Sequence, residues 1–288
     1  MIKASPLQSI RAYARLFRAD AAAICFFGTL SGAFLAGGPT RGDLAAAFCL
    51  TGFSMNFVYS FNSWADRTVD AENKPDRPLP AGRIAPDRAL AYSVALFVLA
   101  LAWPPVVAGT RTALVLFLIL PVLGLLYSAR PVRFKARPFA AQVVTAAGLT
   151  IPLAGGLAMH GRLWPAAGFV AGLFLYTSGM VMLKDVEDAP GDTANGLGNV
   201  YAILGRRIAP ISLAGPAAGL TVVLLAGAPP LLAAWVSILC VGSAAVVLWH
   251  DRPGIGLSRA YTVVIRCVEL WGGVLLAGLA MSGVAPYA

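Results

Sequence analysis

Charged residues are scarce in this chain of 288 residues, at 12% of the total, whereas hydrophobic residues make up 58%. A soluble protein of this length would carry about twice that charged fraction. The mean hydropathy is +0.75, and apolar stretches of ~20 residues, the length needed to cross a bilayer, recur along the chain. These features exclude an ordinary soluble protein and predict an integral membrane protein with several transmembrane helices.

Cysteine and histidine are too few and too scattered to form a metal site by themselves. The four cysteines lie in apolar segments without metal-ligand spacing and are interpreted as small buried hydrophobic residues: Cys25, Cys49, Cys240 and Cys267. His160 and His250 have no ligand partner nearby in the sequence.

The net charge of +9 comes from basic residues in short loops, so it indicates membrane topology. Nucleic-acid binding would need a basic cluster on a soluble face.

Nine apolar segments are predicted to span the membrane, after an amphipathic helix at residues 7–18 that is expected to lie at the membrane surface. The predicted spans are at about 20–38, 44–62, 88–108, 112–128, 139–158, 164–184, 208–227, 229–249 and 259–283. Gly227-Ala228-Pro229-Pro230 predicts a tight turn between two spans, because proline cannot continue a helix. No separate soluble domain is evident, so residues 1–288 are interpreted as one integral-membrane domain.

The distribution of basic residues predicts the orientation. Eighteen of the 22 lysines and arginines lie in segments on the side of the N-terminus, and only Arg41, Arg111 and Arg162 lie in the opposite loops. Short cytoplasmic loops are enriched in Lys and Arg. The N-terminus and the loops that follow the second and sixth spans are therefore expected to be cytoplasmic, with the protein in the cell inner membrane.

Acidic residues are concentrated in two of these cytoplasmic segments, residues 62–88 and 184–207, which hold nine of the 13 acids. Each segment carries oxygen-bearing side chains three or four residues apart: Asn62, Asp66 and Asp70 in the first, and Asp185, Asp188 and Asp192 in the second. This spacing places each set on one face of a helix. Mg²⁺ prefers such oxygen ligands and is usually held by one or two carboxylates plus substrate phosphates. The two clusters therefore predict a site for Mg²⁺ and a diphosphate.

The sequence around both clusters resembles the signatures of the UbiA-type intramembrane prenyltransferases. The first signature is Asn62-x3-Asp66-x3-Asp70 with the following Asn73-Lys74-Pro75-Asp76-Arg77-Pro78-Leu79-Pro80, and the second is Lys184-Asp185-x2-Asp188-x2-Gly191-Asp192. Tyr127-Ser128-x2-Pro131-x-Arg133-x-Lys135 is similar to the intervening loop of the chlorophyll synthase and geranylgeranylglyceryl-phosphate branches. The chain departs from the family pattern at Ser63, where many members have Asp, and after Asp192.

The resemblance implies an all-α bundle of nine helices around a central cavity. It also implies Mg²⁺-dependent transfer of a prenyl group from a prenyl diphosphate to an aromatic or lipid acceptor. Asn62, Asp66 and Asp70 would hold one Mg²⁺, and Asp188 and Asp192, with Asp185 nearby, another. By this resemblance the catalytic residues are Asp66, Asp70, Asp188 and Asp192. Five basic residues are implied to contact the diphosphate: Arg67, Arg77, Arg133, Lys135 and Lys184.

Several polar residues allow two interpretations. Asn56 and Tyr59 are expected either to line the cavity below the metals or to bond to neighbouring helices. Tyr127 is either an aromatic residue of the membrane interface or part of the cavity, and Tyr176 is a further cavity residue. Arg133, Lys135 and Lys184 would otherwise serve only membrane topology. Arg266 and Glu269, inside the last span, are predicted to form a structural ion pair or, alternatively, to belong to the acceptor site.

Three functions remain open at this stage. Both a prenyltransferase and a terpene cyclase need a metal-bound diphosphate that ionises and a greasy cavity that keeps water from the carbocation. The cyclase differs because it needs no second substrate, and aromatic lining would favour it through cation–π stabilisation. A divalent-metal transporter would need acidic residues or histidines near the bilayer midplane, whereas these acids lie at the inner surface. A prenyltransferase is therefore the leading hypothesis.

Overall fold

The computed structural model describes residues 6–252, 256–257, 259–264, 268, 272, 278 and 282–288. Within these residues all regular structure is helical and no strand occurs, so the predicted all-α class is confirmed. The longer elements are α1 (Pro6–Phe17), α2 (Ala19–Leu35), α3 (Arg41–Cys49), α4 (Asn56–Ala65), α5 (Arg67–Asn73), α6 (Pro86–Ala102), α7 (Pro104–Val107), α8 (Arg111–Ser128), α9 (Ala140–Met159), α10 (Ala167–Met180), α11 (Asp185–Ala194), α12 (Val200–Leu204), α13 (Ile208–Leu225) and α14 (Pro230–His250).

Seven helical segments in the described part of the chain are long and apolar enough to cross a membrane. They are Arg41–Ala65, Pro86–Val107, Arg111–Ser128, Ala140–Met159, Ala167–Ala194, Val200–Leu225 and Pro230–His250. The pair Ile10–Phe17 and Ala22–Leu35, bent by 55°, passes the same test when taken together. A helix of the structure lies at each of the first eight predicted spans. Most of the ninth, 259–283, lies outside the described residues, as do Arg266 and Glu269.

The helices that carry the acid clusters are continuations of membrane spans. A wide π-helical turn, Leu50–Met55, joins α3 to α4, and π turns inside α-helices are frequent at functional sites. Asp66 (φ −96°, ψ 7°) separates α4 from α5. A short 3₁₀ turn, Val181–Lys184, leads from α10 into α11. The first acid cluster therefore spans the break at Asp66, and the second begins directly after the 3₁₀ turn.

Glycines let α10 pack closely against α13. A Cβ on Gly172 would clash with the carbonyl oxygen of Gly219, and a Cβ on Gly219 would clash with that of Gly172. Small residues at helix interfaces allow such close backbone approach in membrane proteins. This contact fixes α10, and with it the start of the second acid cluster, against α13.

The turn predicted between two spans is confirmed. Helix α13 ends at Leu225, and α14 begins at Pro230. Gly227 has φ +65°, a left-handed conformation that glycine adopts without steric cost. Pro230 occupies the first turn of α14, where its missing N–H leaves no helical hydrogen bond unmade.

Candidate active site

The first acid cluster keeps one helical face despite the break at Asp66. The Asp66 amide donates to the Asn62 carbonyl oxygen at 2.9 Å, and the Asp70 amide donates to the Asp66 carbonyl oxygen at 2.8 Å. The Asn62 side-chain amide donates to Asp66 Oδ2 at 2.9 Å and to Ser128 Oγ at 3.2 Å. Asp66 is 1% exposed and Asp70 is 5% exposed. Two buried carboxylates and an amide therefore lie together, as their spacing predicts.

Two cations from the loop after α8 meet Asp66. Arg133 Nη2 donates to Asp66 Oδ1 at 3.0 Å, and Lys135 Nζ donates to Asp66 Oδ2 at 2.6 Å. Arg133 has φ 39° and ψ 66°, a left-handed conformation that is costly for a residue with a Cβ. Such conformations cluster at active sites and ligand clamps. The segment 127–135, which resembles the loop between the two family signatures, thus lies directly at the first cluster.

The loop after α5 joins the two clusters. Arg77 Nη1 donates to Asp70 Oδ2 at 2.6 Å, and Lys74 Nζ donates to Asp188 Oδ1 at 2.8 Å. Lys184 Nζ lies 3.7 Å from the other oxygen of Asp188. The carboxylates of both signatures therefore face one shared basic region at the end of the helical bundle.

The rest of the second cluster is held by amide side chains. Gln142 Nε2, on α9, donates to Asp185 Oδ2 at 2.8 Å, and the Val200 backbone amide donates to the same oxygen at 2.9 Å. Asn199 Nδ2 donates to Asp192 Oδ2 at 3.0 Å and to the Asp185 carbonyl oxygen at 3.0 Å. Its Oδ1 accepts from the Ala202 amide and caps α12. Asn199 consequently fixes the relative positions of Asp185 and Asp192.

The donor set is chemically suited to Mg²⁺ and a diphosphate. In the described part of the chain, no three His, Cys, Asp or Glu side chains gather closely enough to bind a metal alone. Mg²⁺ needs only one or two carboxylates when substrate phosphates supply further oxygens. Arg133 Nε is buried without a hydrogen-bond partner, although buried polar groups are normally paired. This donor, beside Asp66, is available to a phosphate oxygen.

Two apolar cavities lie below the clusters. The first has a volume of about 130 Å³ and reaches the cluster residue Asn62, with further lining from Tyr59, Tyr127, Leu149 and Lys184. We call it the upper cavity. The second, about 370 Å³, is the deep cavity between α2, α9, α10 and α14, and it includes Leu149, Tyr176 and Trp235. Leu149 borders both spaces. Binding sites for small molecules commonly measure ~300–1,000 Å³.

The remaining predicted site residues lie in different places. Asn56 donates to the Tyr92 hydroxyl at 2.7 Å and does not border either cavity. Arg67 lies over the Trp64 ring, 5.1 Å from its centroid, and donates to the Trp64 carbonyl oxygen at 2.9 Å. It forms no ion pair within the described residues, but it lines the same pocket as Arg133. Tyr176, deep in the bundle, shares a 2.6 Å hydrogen bond with Ser243.

Four residues of the site were not predicted from the sequence: Arg18, which lines the upper cavity, Lys74, Gln142 and Asn199. Lys74 belongs to the first signature, and this membership could have predicted that it lies beside the acids. Asn199 precedes an apolar helical segment, which is the usual signal of an N-cap. Gln142 and Arg18 carry no local signal, because only packing of α9 brings Gln142 to the second cluster and only packing of α1 brings Arg18, the residue after it, to the upper cavity.

The chain is similar to known proteins along most of its length. The sequence model described as the UbiA prenyltransferase family matches residues 25–258. The digeranylgeranylglyceryl phosphate synthase of Halobacterium salinarum is 33% identical over 243 residues, which cover 81% of this chain and 82% of that protein. The synthase of the same name from Natronomonas pharaonis is 32% identical over 212 residues, with coverages of 70% and 72%.

Solved structures show the same fold. A UbiA homologue from Archaeoglobus fulgidus bound to GPP and Mg²⁺ superposes with a TM-score of 0.76 at 20% identity, covering 95% of this chain and 99% of that chain. A structure described as giving insights into digeranylgeranylglyceryl phosphate synthase in membranes superposes with a TM-score of 0.71 at 17% identity. The arrangement of helices is thus that of these membrane proteins.

Proposed function

Since the chain belongs to the UbiA prenyltransferase family, we propose that it transfers a prenyl group from a prenyl diphosphate, with Mg²⁺, to a lipid acceptor that carries a phosphate. The observation that carries this proposal is the convergence of both acid clusters on one set of cations above an apolar cavity. That arrangement offers ligands for a diphosphate and space for a hydrocarbon tail in the same place.

The donor's diphosphate would lie between the two clusters. Mg²⁺, when bound there, would act as a Lewis acid on the phosphate oxygens, with Asn62, Asp66 and Asp70 on one side and Asp188 and Asp192 on the other. Arg133 and Lys135 would stabilise the negative charge that develops on the leaving group. Lys184 borders the upper cavity and lies beside Asp188, so it would reach the oxygen that leaves the prenyl carbon.

The cavities would hold the prenyl tail and keep water away from the reacting carbon. The Tyr59 and Tyr127 rings border the upper cavity, and aromatic faces attract positive charge. In this proposal they would stabilise the allylic cation as it forms. Bond formation between the prenyl carbon and an acceptor hydroxyl oxygen would accompany loss of diphosphate, and the hydroxyl proton would pass to the released diphosphate.

The relatives favour a lipid acceptor over an aromatic one. Their name describes a glyceryl phosphate that carries two geranylgeranyl groups, which corresponds to transfer onto a lipid with a phosphate head. The Archaeoglobus fulgidus neighbour is described as bound to a prenyl diphosphate and Mg²⁺. In this proposal the protein lies in the cell inner membrane, and the acid clusters face the cytoplasm, as the basic residues predict.

The test uses purified protein in detergent with Mg²⁺ and prenyl diphosphates from C10 to C20. Diphosphate release and organic-phase products are measured without acceptor, then with geranylgeranylglyceryl phosphate or a phenolic acid. We expect turnover only with the lipid phosphate and none from Asp66→Asn. A cyclic product without acceptor would identify a terpene cyclase instead, and turnover with only the phenolic acid would replace the proposed acceptor class.

A further inference from the structure

Gln142, at the start of α9, carries a buried side-chain oxygen that receives no hydrogen bond. The residue is 5% exposed, and its Oε1 atom has no partner among the described residues. Buried polar atoms are normally paired, and a buried oxygen without a donor is costly. The partner that suits this oxygen is therefore a group that the chain itself does not supply.

The other half of the same amide fixes where this oxygen lies. Gln142 Nε2 donates to Asp185 Oδ2 at 2.8 Å, and the Val200 backbone amide donates to the same carboxylate oxygen at 2.9 Å. The nitrogen must be the atom that faces Asp185, because an ionised carboxylate only accepts hydrogen bonds. Since Nε2 and Oε1 are bonded to one carbon, the unpaired oxygen is held beside the second acid cluster.

The start of α9 is packed tightly against the segment that follows the second cluster. The Gly198 amide donates to the Ala136 carbonyl oxygen at 3.2 Å, and a Cβ on Gly198 would clash with that oxygen. Asn199, the next residue, bonds to two residues of the second cluster. Gln142 therefore approaches the acids from a helix whose start is fixed against their own segment, as the positioning of a ligand requires.

Gln142 also lies one turn of α9 away from the upper cavity. Thr145 and Leu149 line that cavity together with Asn62 and Lys184. Positions 142, 145 and 149 share one helical face, because they are three and four residues apart. The amide is therefore on the side of α9 that faces the proposed donor site.

The first acid cluster contains the same pairing of an amide with a carboxylate. Asn62 Nδ2 donates to Asp66 Oδ2 at 2.9 Å, as Gln142 Nε2 does to Asp185. The family resemblance implies that Asn62 is a Mg²⁺ ligand. In the described part of the chain, acidic, histidine and cysteine side chains do not complete a metal site by themselves, and Mg²⁺ accepts further oxygen ligands. An amide oxygen beside each pair of acids supplies one.

We propose that Gln142 Oε1 is a direct ligand of the Mg²⁺ at the second acid cluster. This inference rests on the proposed function, which requires Mg²⁺ beside the acids, and it adds a ligand that neither signature contains. The nitrogen of the amide holds Asp185 while its oxygen binds the ion, so one side chain fixes a cluster acid and the metal together.

The test uses Mn²⁺, a paramagnetic substitute for Mg²⁺, with the full chain in detergent and inorganic diphosphate. The chain has only two glutamines, Gln8 and Gln142, so ¹³C at the glutamine side-chain carbonyl labels only two sites. Electron–nuclear double resonance should show strong ¹³C coupling to Mn²⁺ in the wild type and none in Gln142→Met, because this coupling falls steeply with distance. Bound Mn²⁺ without the coupling would mean that a water or a substrate hydroxyl occupies the oxygen, and it would overturn the proposal.

Mn²⁺ affinity separates a ligand from a residue that only positions Asp185. Gln142→Glu and Gln142→Met both lose the N–H that holds Asp185, but glutamate keeps an oxygen in the same place. We expect Gln142→Met to weaken one Mn²⁺ site about tenfold or more, since loss of residues that merely orient metal ligands already costs that much. Gln142→Glu should bind at least as tightly as the wild type. Equal weakening in both variants would contradict direct ligation.

Thr145→Val is the matched control. Thr145 lies one turn further along α9, and its hydroxyl donates to the Ala141 carbonyl oxygen at 2.8 Å. Its removal should leave the Mn²⁺ affinity unchanged. A loss equal to that of Gln142→Met would assign the effect to distortion of α9 and overturn the proposal.

These measurements do not require turnover, so they are independent of the proposed reaction. Mn²⁺ coupled to Gln142 in a protein that transfers no prenyl group would refute the proposed function and support the ligand assignment. Prenyl transfer without the coupling would refute the ligand assignment alone. A wild-type protein that binds no Mn²⁺ would overturn both.

Discussion

Lys74 Nζ lies 2.8 Å from Asp188 Oδ1, although 114 residues separate the two in sequence. Lys74 follows the first acid cluster and Asp188 belongs to the second, so this ion pair links the two signatures directly. Asp188 is also near Lys184, at 3.7 Å. The Asp188 carboxylate therefore lies beside lysines of both signatures. Loss of its charge would leave both lysines without a partner, and buried or half-buried charges that lose their partner are costly.

Asp188→Asn should abolish most of the activity. The substitution removes the charge of a proposed metal ligand and leaves Lys74 and Lys184 without their carboxylate. We expect kcat/KM to fall about 10²-fold or more, the scale observed when one group that stabilises developing charge is lost. Initial rates at saturating acceptor and varied donor measure this.

Glu187 provides the matched control. It is the neighbouring residue on α11 but is exposed, and no ion pair in the described part of the chain involves it. Glu187→Gln should therefore stay within about twofold of the wild type, as is usual for surface substitutions. Equal losses in the two variants would show that the charge of α11 matters and that the contacts of Asp188 do not.

Asn199→Ala should weaken the response to Mg²⁺. Asn199 holds the Asp192 carboxylate and the Asp185 carbonyl at 3.0 Å each, and it caps α12. Without it, Asp192 would be free to rotate away from the proposed metal position. We expect the Mg²⁺ concentration that gives half-maximal rate to rise by about tenfold, with partial recovery at high Mg²⁺, as one or two lost hydrogen bonds would produce.

Asn195→Ala is the control for this network. Asn195 lies four residues earlier in the same loop and donates to Glu72 and to the Gly191 carbonyl oxygen, but not to Asp185 or Asp192. Its removal should leave the Mg²⁺ titration unchanged. If Asn199→Ala lowered the melting temperature in detergent but kept the Mg²⁺ response of the wild type, its role would be structural only.

Local patterns in the sequence predict most of the fold. Apolar length determines a membrane span, and the spacing of Asn62, Asp66 and Asp70 by four residues predicts their shared face. Both signals depend only on residues close together in the chain. The structure therefore agrees with both predictions. Helices occur at the first eight predicted spans, and the first cluster is continuous across the break at Asp66.

Residues whose position depends on tertiary packing are a different case. Gln142 reaches Asp185 only because α9 packs beside the start of α11, and Arg18 reaches the site only because α1 is seated on residues 79–89. Arg67 follows Asp66 directly, yet it lies over Trp64. Neighbouring residues on a helix point about 100° apart, so a residue next to Asp66 does not share the helical face of Asn62 and Asp70.

Gly219→Val should destabilise the bundle. A side chain at this position would meet the carbonyl oxygen of Gly172 on α10, and backbone cannot move aside as a flexible side chain can. Overpacking of a close interface costs about 1–3 kcal/mol. We expect a lower melting temperature in detergent and faster loss of activity on warming. Gly242→Val on α14 is the control, because a Cβ there has nothing within 4 Å, and it should melt like the wild type.

Leu149→Trp should shorten the donor that the enzyme accepts. Leu149 borders both the upper and the deep cavity, so a tail that starts near Lys184 must pass this side chain to reach the larger space. A tryptophan would narrow the passage while the upper cavity remained open. Each CH₂ buried contributes about 0.8 kcal/mol. Exclusion of two carbons would therefore lower kcat/KM about tenfold for a C20 donor, and a C10 donor should be affected less.

The altered donor preference must come from where the larger side chain is placed, and not from tryptophan as a residue type. Val143 lies on the same helix but is 51% exposed, so Val143→Trp would extend away from the cavities and should keep the donor profile of the wild type. Leu149→Met, which nearly conserves volume, should do the same. Loss of C10 and C20 turnover in equal proportion in Leu149→Trp would mean that the tail does not pass Leu149. The deep cavity would then have to hold a different hydrocarbon, and the acceptor's own chain is the remaining substrate that could fill it.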